Sequence, residues 1–86
     1  MKYTVRLNTR VGKVLDRLPP DMRRRIIRRL EALEHNPMPR GVEKLAGVDE
    51  LYRVRVGTYR IVYAIRDREL VVIVVRIGHR RDVYRQ

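Results

Sequence analysis

Three arginines flank a glycine-led turn in the second half of the sequence. Arg53 and Arg55 alternate with apolar residues before Gly57-Thr58, and Arg60 follows this turn. A glycine that leads a two-residue loop favours a tight type II′ hairpin, which sets the register of both strands. In that register Arg55 lies opposite Arg60, and Arg53 lies opposite Val62. Opposed and alternate residues share one face of a sheet, so the three cations form what we call the arginine face.

Placing like charges opposite each other does not help a sheet to fold. Such pairs destabilise it by up to about 1 kcal/mol, and guanidiniums about 5.5 Å apart repel by about 3 kcal/mol at an effective dielectric of about 20. A bound phosphate reverses this sign, and the guanidinium fork matches two phosphate oxygens at once. The arginine face therefore predicts a phosphate site. The alternative is a polar face whose side chains extend into solvent or pair with carboxylates elsewhere in the chain.

The C-terminal tail carries further groups that could bind or react. His79, Arg80, Arg81 and Tyr84 follow Gly78, which ends the last strand pattern. If the tail folds back over the sheet, Arg80 or Arg81 adds a phosphate contact. Nearby cations lower the pKa of a phenol, so Tyr84 could act as a base, or its ring could stack on an RNA base. His79 is a second candidate base. The alternatives are a tyrosine packed on the sheet edge and a solvated histidine.

The first half of the sequence predicts one strand and two helices. Polar and apolar residues alternate over 2–7, which is typical of a half-buried strand. Apolar residues at helical spacing over 11–18, with Asn8 or Thr9 as the cap, predict a helix that a proline pair ends. A second helix is predicted over 20–35, and the two helices form a hairpin that needs a sheet to cover its apolar side.

The second half predicts three consecutive strands. Residues 37–50 show little periodicity and are expected to form a loop. Runs rich in β-branched and aromatic residues over 52–56, 59–65 and 70–77 predict antiparallel hairpins, and the last run is apolar on both faces, as in a central strand. The order is β-α-α-β-β-β in a single domain, 1–86, of the α+β class.

Charge points to an anionic partner. The chain of 86 residues has 21 Lys and Arg, 18 of them arginine, against 10 Asp and Glu, giving a net charge of +11. Nucleic acid is the leading candidate, ahead of an acidic protein or a membrane surface. Cysteine is absent and no carboxylate or histidine spacing suits a metal, so we expect neither metal nor cofactor. The longest apolar run is far short of the roughly 20 residues that span a bilayer, and no secretory signal is present, so a soluble cytoplasmic protein is expected.

Three segments together resemble the RelE family of the RelE/ParE toxin superfamily. They are Lys44 to Gly47, Leu51 to Tyr63 and Val74 to Tyr84, and the likeness covers nearly the whole chain. The resemblance implies an N-terminal strand and a helical hairpin packed on a curved antiparallel sheet. It also implies a toxin that cleaves mRNA in the ribosomal A site, where the 2′-hydroxyl of the RNA attacks the adjacent phosphate and leaves a cyclic phosphate and a free 5′-hydroxyl.

The resemblance assigns roles by motif position. Arg53 and Arg55 match cationic residues that hold the mRNA backbone and polarise the reacting groups, and arginine stands where the family often has lysine. Arg60 matches the arginine that stabilises charge on the phosphorane. Arg80 matches a further phosphate contact, and Tyr84 matches the tyrosine that stacks on the base or takes part in proton transfer.

The resemblance also implies partners. A protein that cuts translated mRNA is lethal to its own cell, so an acidic, RelB-like antitoxin is expected beside the ribosome and mRNA. Two other functions stay open at this point. One is a ParE-like toxin that inhibits DNA gyrase without cleaving RNA. The other is a non-catalytic basic module that binds RNA or the ribosome through the arginines of residues 23–29.

Overall fold

Two helices pack on one face of a five-stranded sheet in the computed structural model, which describes residues 2–45 and 50–79. The elements are β1 (Thr4–Leu7), α1 (Thr9–Asp16), α2 (Pro20–His35), β2 (Glu43–Lys44), β3 (Leu51–Val56), β4 (Tyr59–Arg66), one 3-10 turn (Asp67–Glu69) and β5 (Val71–His79). The predicted α+β class and the predicted bounds of α2 are confirmed. No helix within the described ranges is long and apolar enough to cross a membrane.

Local sequence signals set both ends of the helical hairpin. The Val11 backbone N–H donates to the Asn8 side chain at 2.7 Å, so Asn8 is the cap of α1. Pro20 opens α2, where its missing N–H costs no hydrogen bond. The helix ends at His35, and the following Asn36 is extended. The start of α1 and both ends of α2 are therefore as the sequence predicts, whereas α1 ends at Asp16, before the predicted stop at the proline pair.

The core lies between the helices and the sheet. It consists of buried aliphatic side chains from α1, α2, β3, β4 and β5 around a fully buried tyrosine, and its central members are Leu15, Ile26, Leu33, Val54, Ile61, Tyr63, Val72 and Val74. The Tyr63 hydroxyl donates to the Pro37 carbonyl oxygen at 2.7 Å. This bond satisfies the buried phenol and holds the segment after α2 against the sheet.

The sheet is mixed rather than antiparallel throughout. Its strand order is β1-β5-β4-β3-β2, and β5 lies in the interior of the sheet, as its two apolar faces predict. Strand β1 pairs parallel with β5, with Thr4 opposite Val71 and Leu7 opposite Val74. No hairpin joins these two strands, so no local turn forces them to be antiparallel.

A short strand lies inside the segment expected to be a loop. Strand β2 pairs antiparallel with β3, placing Glu43 opposite Arg53 and Lys44 opposite Tyr52. Two residues are too few to show an alternating pattern in the sequence. Their position at the sheet edge nevertheless brings a carboxylate beside an arginine of the arginine face.

A β-bulge interrupts the pairing of β4 with β5. Tyr63 lies opposite Val74, but the preceding Val62 lies opposite Arg76, so Val75 is an extra residue on β5. Val75 is 39% exposed, whereas Val74 and Ile77 on either side of the bulge belong to the core. Strand β5 thus carries two successive residues on the face away from the helices before its alternation resumes.

Candidate functional site

The β3–β4 hairpin has the register that the sequence predicts. Arg55 lies opposite Arg60, and Arg53 lies opposite Val62. Gly57 has a φ of +59°, and Thr58 is not among the residues with positive φ, as a type II′ turn requires. The core residues of the same strands lie on the helix-facing side. The three arginines therefore share the face of the sheet away from the helices.

The hairpin turn packs closely against α2. A Cβ at Gly57 would lie 3.0 Å from the Met22 Cε and 3.1 Å from the Arg25 Nη1. Two features favour glycine at position 57: its backbone is in the left-handed region, and neighbouring side chains fill the space that a Cβ would occupy. This packing fixes the turn between Arg55 and Arg60 relative to the helices, and it places one guanidinium of the basic helix beside the turn.

Arg60 is a buried cation with little internal compensation. It is 6% exposed, and its Nη1 donates to the Tyr59 carbonyl oxygen at 3.3 Å. Among residues 2–45 and 50–79, no carboxylate forms an ion pair with it. Burying a charge without a counter-ion costs several kcal/mol, so a group in this state is more consistent with an anion-binding role than with a structural one.

Arg53 has an internal partner that the sequence did not reveal. Its Nη2 lies 3.1 Å from the Glu43 Oε2, and the two side chains are 13% and 65% exposed. The expectation for the arginine face left such pairing open as an alternative, and the structure shows it for this one residue. Because the carboxylate is largely in water, the pair is weak and a phosphate can compete for the guanidinium.

Arg55 and Arg60 lie opposite each other across β3 and β4 but differ in solvent exposure. Arg55 is exposed, whereas its partner across the strands is buried. The arginine face thus offers an accessible cation at Arg55, a mostly buried one at Arg53 and a buried one at Arg60. A polyanion can contact the first two from solvent and reach the third at the base of the site.

The structure does not bring His79 to the arginine face. His79 lies opposite Tyr59 at the end of β5, and their rings are 5.7 Å apart in an edge-to-face arrangement. Tyr59 packs against the helix-facing core. Arg80, Arg81 and Tyr84 lie outside the described residues, so their assigned roles stay predictions.

A cleft that sequence reasoning missed lies between α1 and the end of β5. Its volume is about 610 Å³, and basic and aromatic side chains line it together with aliphatic ones: Arg10, Val11, Val14, Arg17, Leu18, Tyr59, Val75, Arg76, Ile77, Gly78 and His79. Strand β1 pairs with β5 only as far as Val74, which leaves the later part of β5 next to this cleft. The pattern that could have revealed it is the pair Arg10 and Arg17 on one helix, two turns apart.

Two tyrosines have raised pKa values for structural reasons. The pKa of Tyr63 is raised to about 12, because burial and the nearby Tyr52 both raise it by more than Arg29 lowers it. The hydrogen bond that Tyr3 donates to Asp67 raises the pKa of Tyr3. Both phenols favour the neutral form, so neither is suited to act as a base. Within the described part of the chain, no group of three or more His, Cys, Asp or Glu side chains could hold a metal ion.

This fold and its arginine face define a small basic α+β domain, and its relatives show the family to which it belongs. The family model described as ParE toxin of type II toxin-antitoxin system, parDE, matches residues 5–84. The chain is 34% identical to the putative toxin RelE1 of Methanocaldococcus jannaschii over 99% of this chain and 98% of that protein. It is 32% identical to toxin RelG of Mycobacterium tuberculosis over the full length of both.

A solved structure gives the same result. The archaeal RelE–RelB complex from Pyrococcus horikoshii contains a chain that matches with a TM-score of 0.82 and 34% identity, covering 93% of this chain and 97% of that one. These matches show that the chain belongs to the RelE family of toxins of type II toxin–antitoxin systems.

Proposed function

We propose that this RelE-family toxin is a metal-independent endoribonuclease that cleaves mRNA in the ribosomal A site. The observation that carries the proposal is Arg60, a buried cation that no carboxylate of the described chain neutralises. It lies directly opposite the exposed Arg55 and diagonally across from the mostly buried Arg53, which are both on β3. Such a face suits a phosphodiester whose charge increases during reaction.

The proposed chemistry uses the RNA's own nucleophile. The 2′-oxygen attacks the adjacent phosphorus as a base removes its proton, which gives a pentacoordinate phosphorane with added negative charge. The bond to the 5′-oxygen then breaks, and that oxygen takes up a proton. The products are a cyclic phosphate and a free 5′-hydroxyl. Tyr84 is the candidate for proton transfer, as the resemblance implies, whereas His79 lies beside Tyr59 and away from the arginine face.

The arginines contribute positioning and charge. Arg60 donates to the non-bridging oxygens of the phosphorane, where charge develops, and removing one such donor typically costs about a hundredfold to a thousandfold in rate. Arg55 and Arg53 hold the RNA backbone on either side and orient the 2′-oxygen for attack. The chemistry needs no bound cofactor, because guanidiniums supply the positive charge.

The proposed partner in the cell is an acidic, RelB-like antitoxin. Structures similar to this chain include toxin–antitoxin complexes of RelE with RelB. A net charge of +11 favours an acidic partner that covers the arginine face and so keeps the toxin from mRNA. We place the free toxin in the cytoplasm, on translating ribosomes.

Mapping RNA ends on stalled ribosomes tests this function. Purified protein is added to ribosomes that carry a defined message, and cleavage is compared for wild type, Arg60→Gln and Arg68→Gln. Arg68 is an exposed arginine in the 3-10 turn at the opposite end of β4, so it is a matched charge control. We expect A-site cuts with wild type and Arg68→Gln, and a loss of about a hundredfold or more with Arg60→Gln.

Wild type and the same two arginine variants also distinguish the nuclease proposal from the two other functions. Because the matching family model is described as ParE toxin, supercoiling by purified gyrase is measured in parallel. Inhibition of gyrase without RNA cleavage would replace the nuclease proposal with the ParE-like function. A non-catalytic basic module would cut nothing, and its affinity for RNA would fall equally in both arginine variants.

A further inference from the structure

The bulge at Val75 decides which face of the sheet carries Arg76. The core residue Val74 lies opposite Tyr63, and strict alternation from Val74 would turn Arg76 toward the helices. The extra residue shifts the register, so that Arg76 lies opposite Val62. Bulges of this kind re-aim a side chain and are frequent beside functional sites.

The shifted register aligns Arg76 with the arginine face. Arg53, Val62 and Arg76 form one row across β3, β4 and β5. Arg55, Arg60 and Gly78 form the next row. Two strand spacings separate the Cα atoms of Arg53 and Arg76 by about 10 Å. Arg60 thus has a cation of the neighbouring row on each side, and glycine directly beside it on β5.

The burial of Val62, which lies between Arg53 and Arg76 in this row, fits the placement of Arg76 on the arginine face. Val62 is 4% exposed, although it is not part of the helix-facing core. Arg53 and Arg76 flank it and are both partly buried. The aliphatic stems of arginines commonly cover apolar surface while their guanidiniums reach its edge. The row thus has the form of an apolar base between two cationic groups.

We propose that Arg76 is an additional RNA-binding residue, which contacts a phosphate next to the one held at Arg60. The inference rests on the proposed function and extends its site across β5. The RNA backbone crosses the arginine face from β3 to β5 and contacts successive cations. Arg76 is a positioning residue: it holds the strand in place, while Arg60 faces the reacting phosphate.

Salt dependence of RNA binding tests this inference without any cleavage. The probe is a short single-stranded RNA with 2′-O-methyl groups, which cannot supply the attacking hydroxyl. Dissociation constants of the full-length chain are measured over a range of salt concentrations for wild type, Arg76→Gln, Arg76→Lys and Arg68→Gln. Each phosphate contact on single-stranded nucleic acid contributes about 0.7 to the slope of log K against log salt. Thermal unfolding of each variant verifies the fold.

The expected result is a slope smaller by about 0.7 for Arg76→Gln and close to wild type for Arg76→Lys and Arg68→Gln. An unchanged slope for Arg76→Gln overturns the inference and points instead to a protein partner in the cleft that Arg76 also lines. An equal fall for Arg68→Gln overturns it too, because general charge would then explain the effect. Failure of the nuclease proposal is distinguishable, since it appears as absent cleavage by wild type while the slopes are still measured.

Discussion

Arg60 on β4 lies directly opposite Gly78 on β5, so its paired residue on that strand has no side chain. On its other side lies the exposed Arg55. Among the described residues, no carboxylate forms an ion pair with the buried guanidinium of Arg60. A buried cation without an ion-pair partner among the described residues costs stability.

Replacing Arg60 by methionine should separate stability from activity. The unbranched side chain keeps the packing of the stem, and it removes a charge that no described carboxylate compensates. We expect the free energy of unfolding to rise by about 1 kcal/mol or more, while cleavage falls by about a hundredfold or more. Urea unfolding and mapping of RNA ends measure the two effects. A variant that is less stable and still active would contradict the assignment.

Removing the Glu43 carboxylate should take away one competitor of RNA phosphate for Arg53. In Glu43→Gln the ion pair to Arg53 is lost, so RNA phosphate no longer competes with it and affinity rises several-fold. Stability changes by less than about 1 kcal/mol, because the carboxylate is mostly exposed. Glu69→Gln, on the 3-10 turn, makes the same charge change away from the arginine face. Equal gains in both variants would show a general charge effect.

The same substitution at two glycines should have opposite effects. Gly57→Ala places a Cβ on left-handed backbone and 3.0 Å from the Met22 Cε, so we expect a loss of about 1–3 kcal/mol. Gly12 lies inside α1, and a Cβ added there would meet nothing within 4 Å, so Gly12→Ala should stabilise by about 0.5–1 kcal/mol. Urea unfolding of both variants measures the difference. Equal signs would contradict the described packing of the turn.

Tyr63 should make stability fall in alkaline solution. Its pKa is raised to about 12 in the folded chain, mainly by burial, from an ordinary value of 10.0. As the pH rises, the unfolded chain loses the Tyr63 proton at a lower pH than the folded chain does. The stability that the raised pKa contributes is therefore complete below pH 10 and is lost between pH 10 and about 12. The added slope is at most about 1.4 kcal/mol per pH unit. The variant Tyr63→Phe lacks this added slope. Identical profiles of stability against pH for wild type and variant would refute the raised pKa of Tyr63.

The hairpin of the site was predictable because its information is local. Gly57 fixes the turn, the turn fixes the register, and the register sets the faces of Arg55 and Arg60. The helix bounds of α2 were predictable for the same reason, since proline and the apolar stripe lie within the element. The α+β class followed from the order of these patterns.

The features that the sequence did not predict depend on contacts between segments that are distant in the chain. The parallel pairing of β1 with β5 and the ion pair of Arg53 with Glu43 need strands that no short turn connects. The bulge at Val75 could not be predicted, because a run that is apolar on both faces has no polar–apolar alternation for an extra residue to interrupt. The burial of Arg60 likewise arises only when three strands assemble, so the sequence indicated the residue but not its surroundings.

The pairing of β1 with β5 also has a consequence for biosynthesis. The first described strand pairs with the last described one, so this sheet is incomplete until β5 has emerged from the ribosome. Non-local pairing of this kind makes folding wait for the end of the chain. Because β4 pairs with β5, a nascent chain gains the assembled row of Arg55, Arg60 and Gly78 only after β5 has emerged.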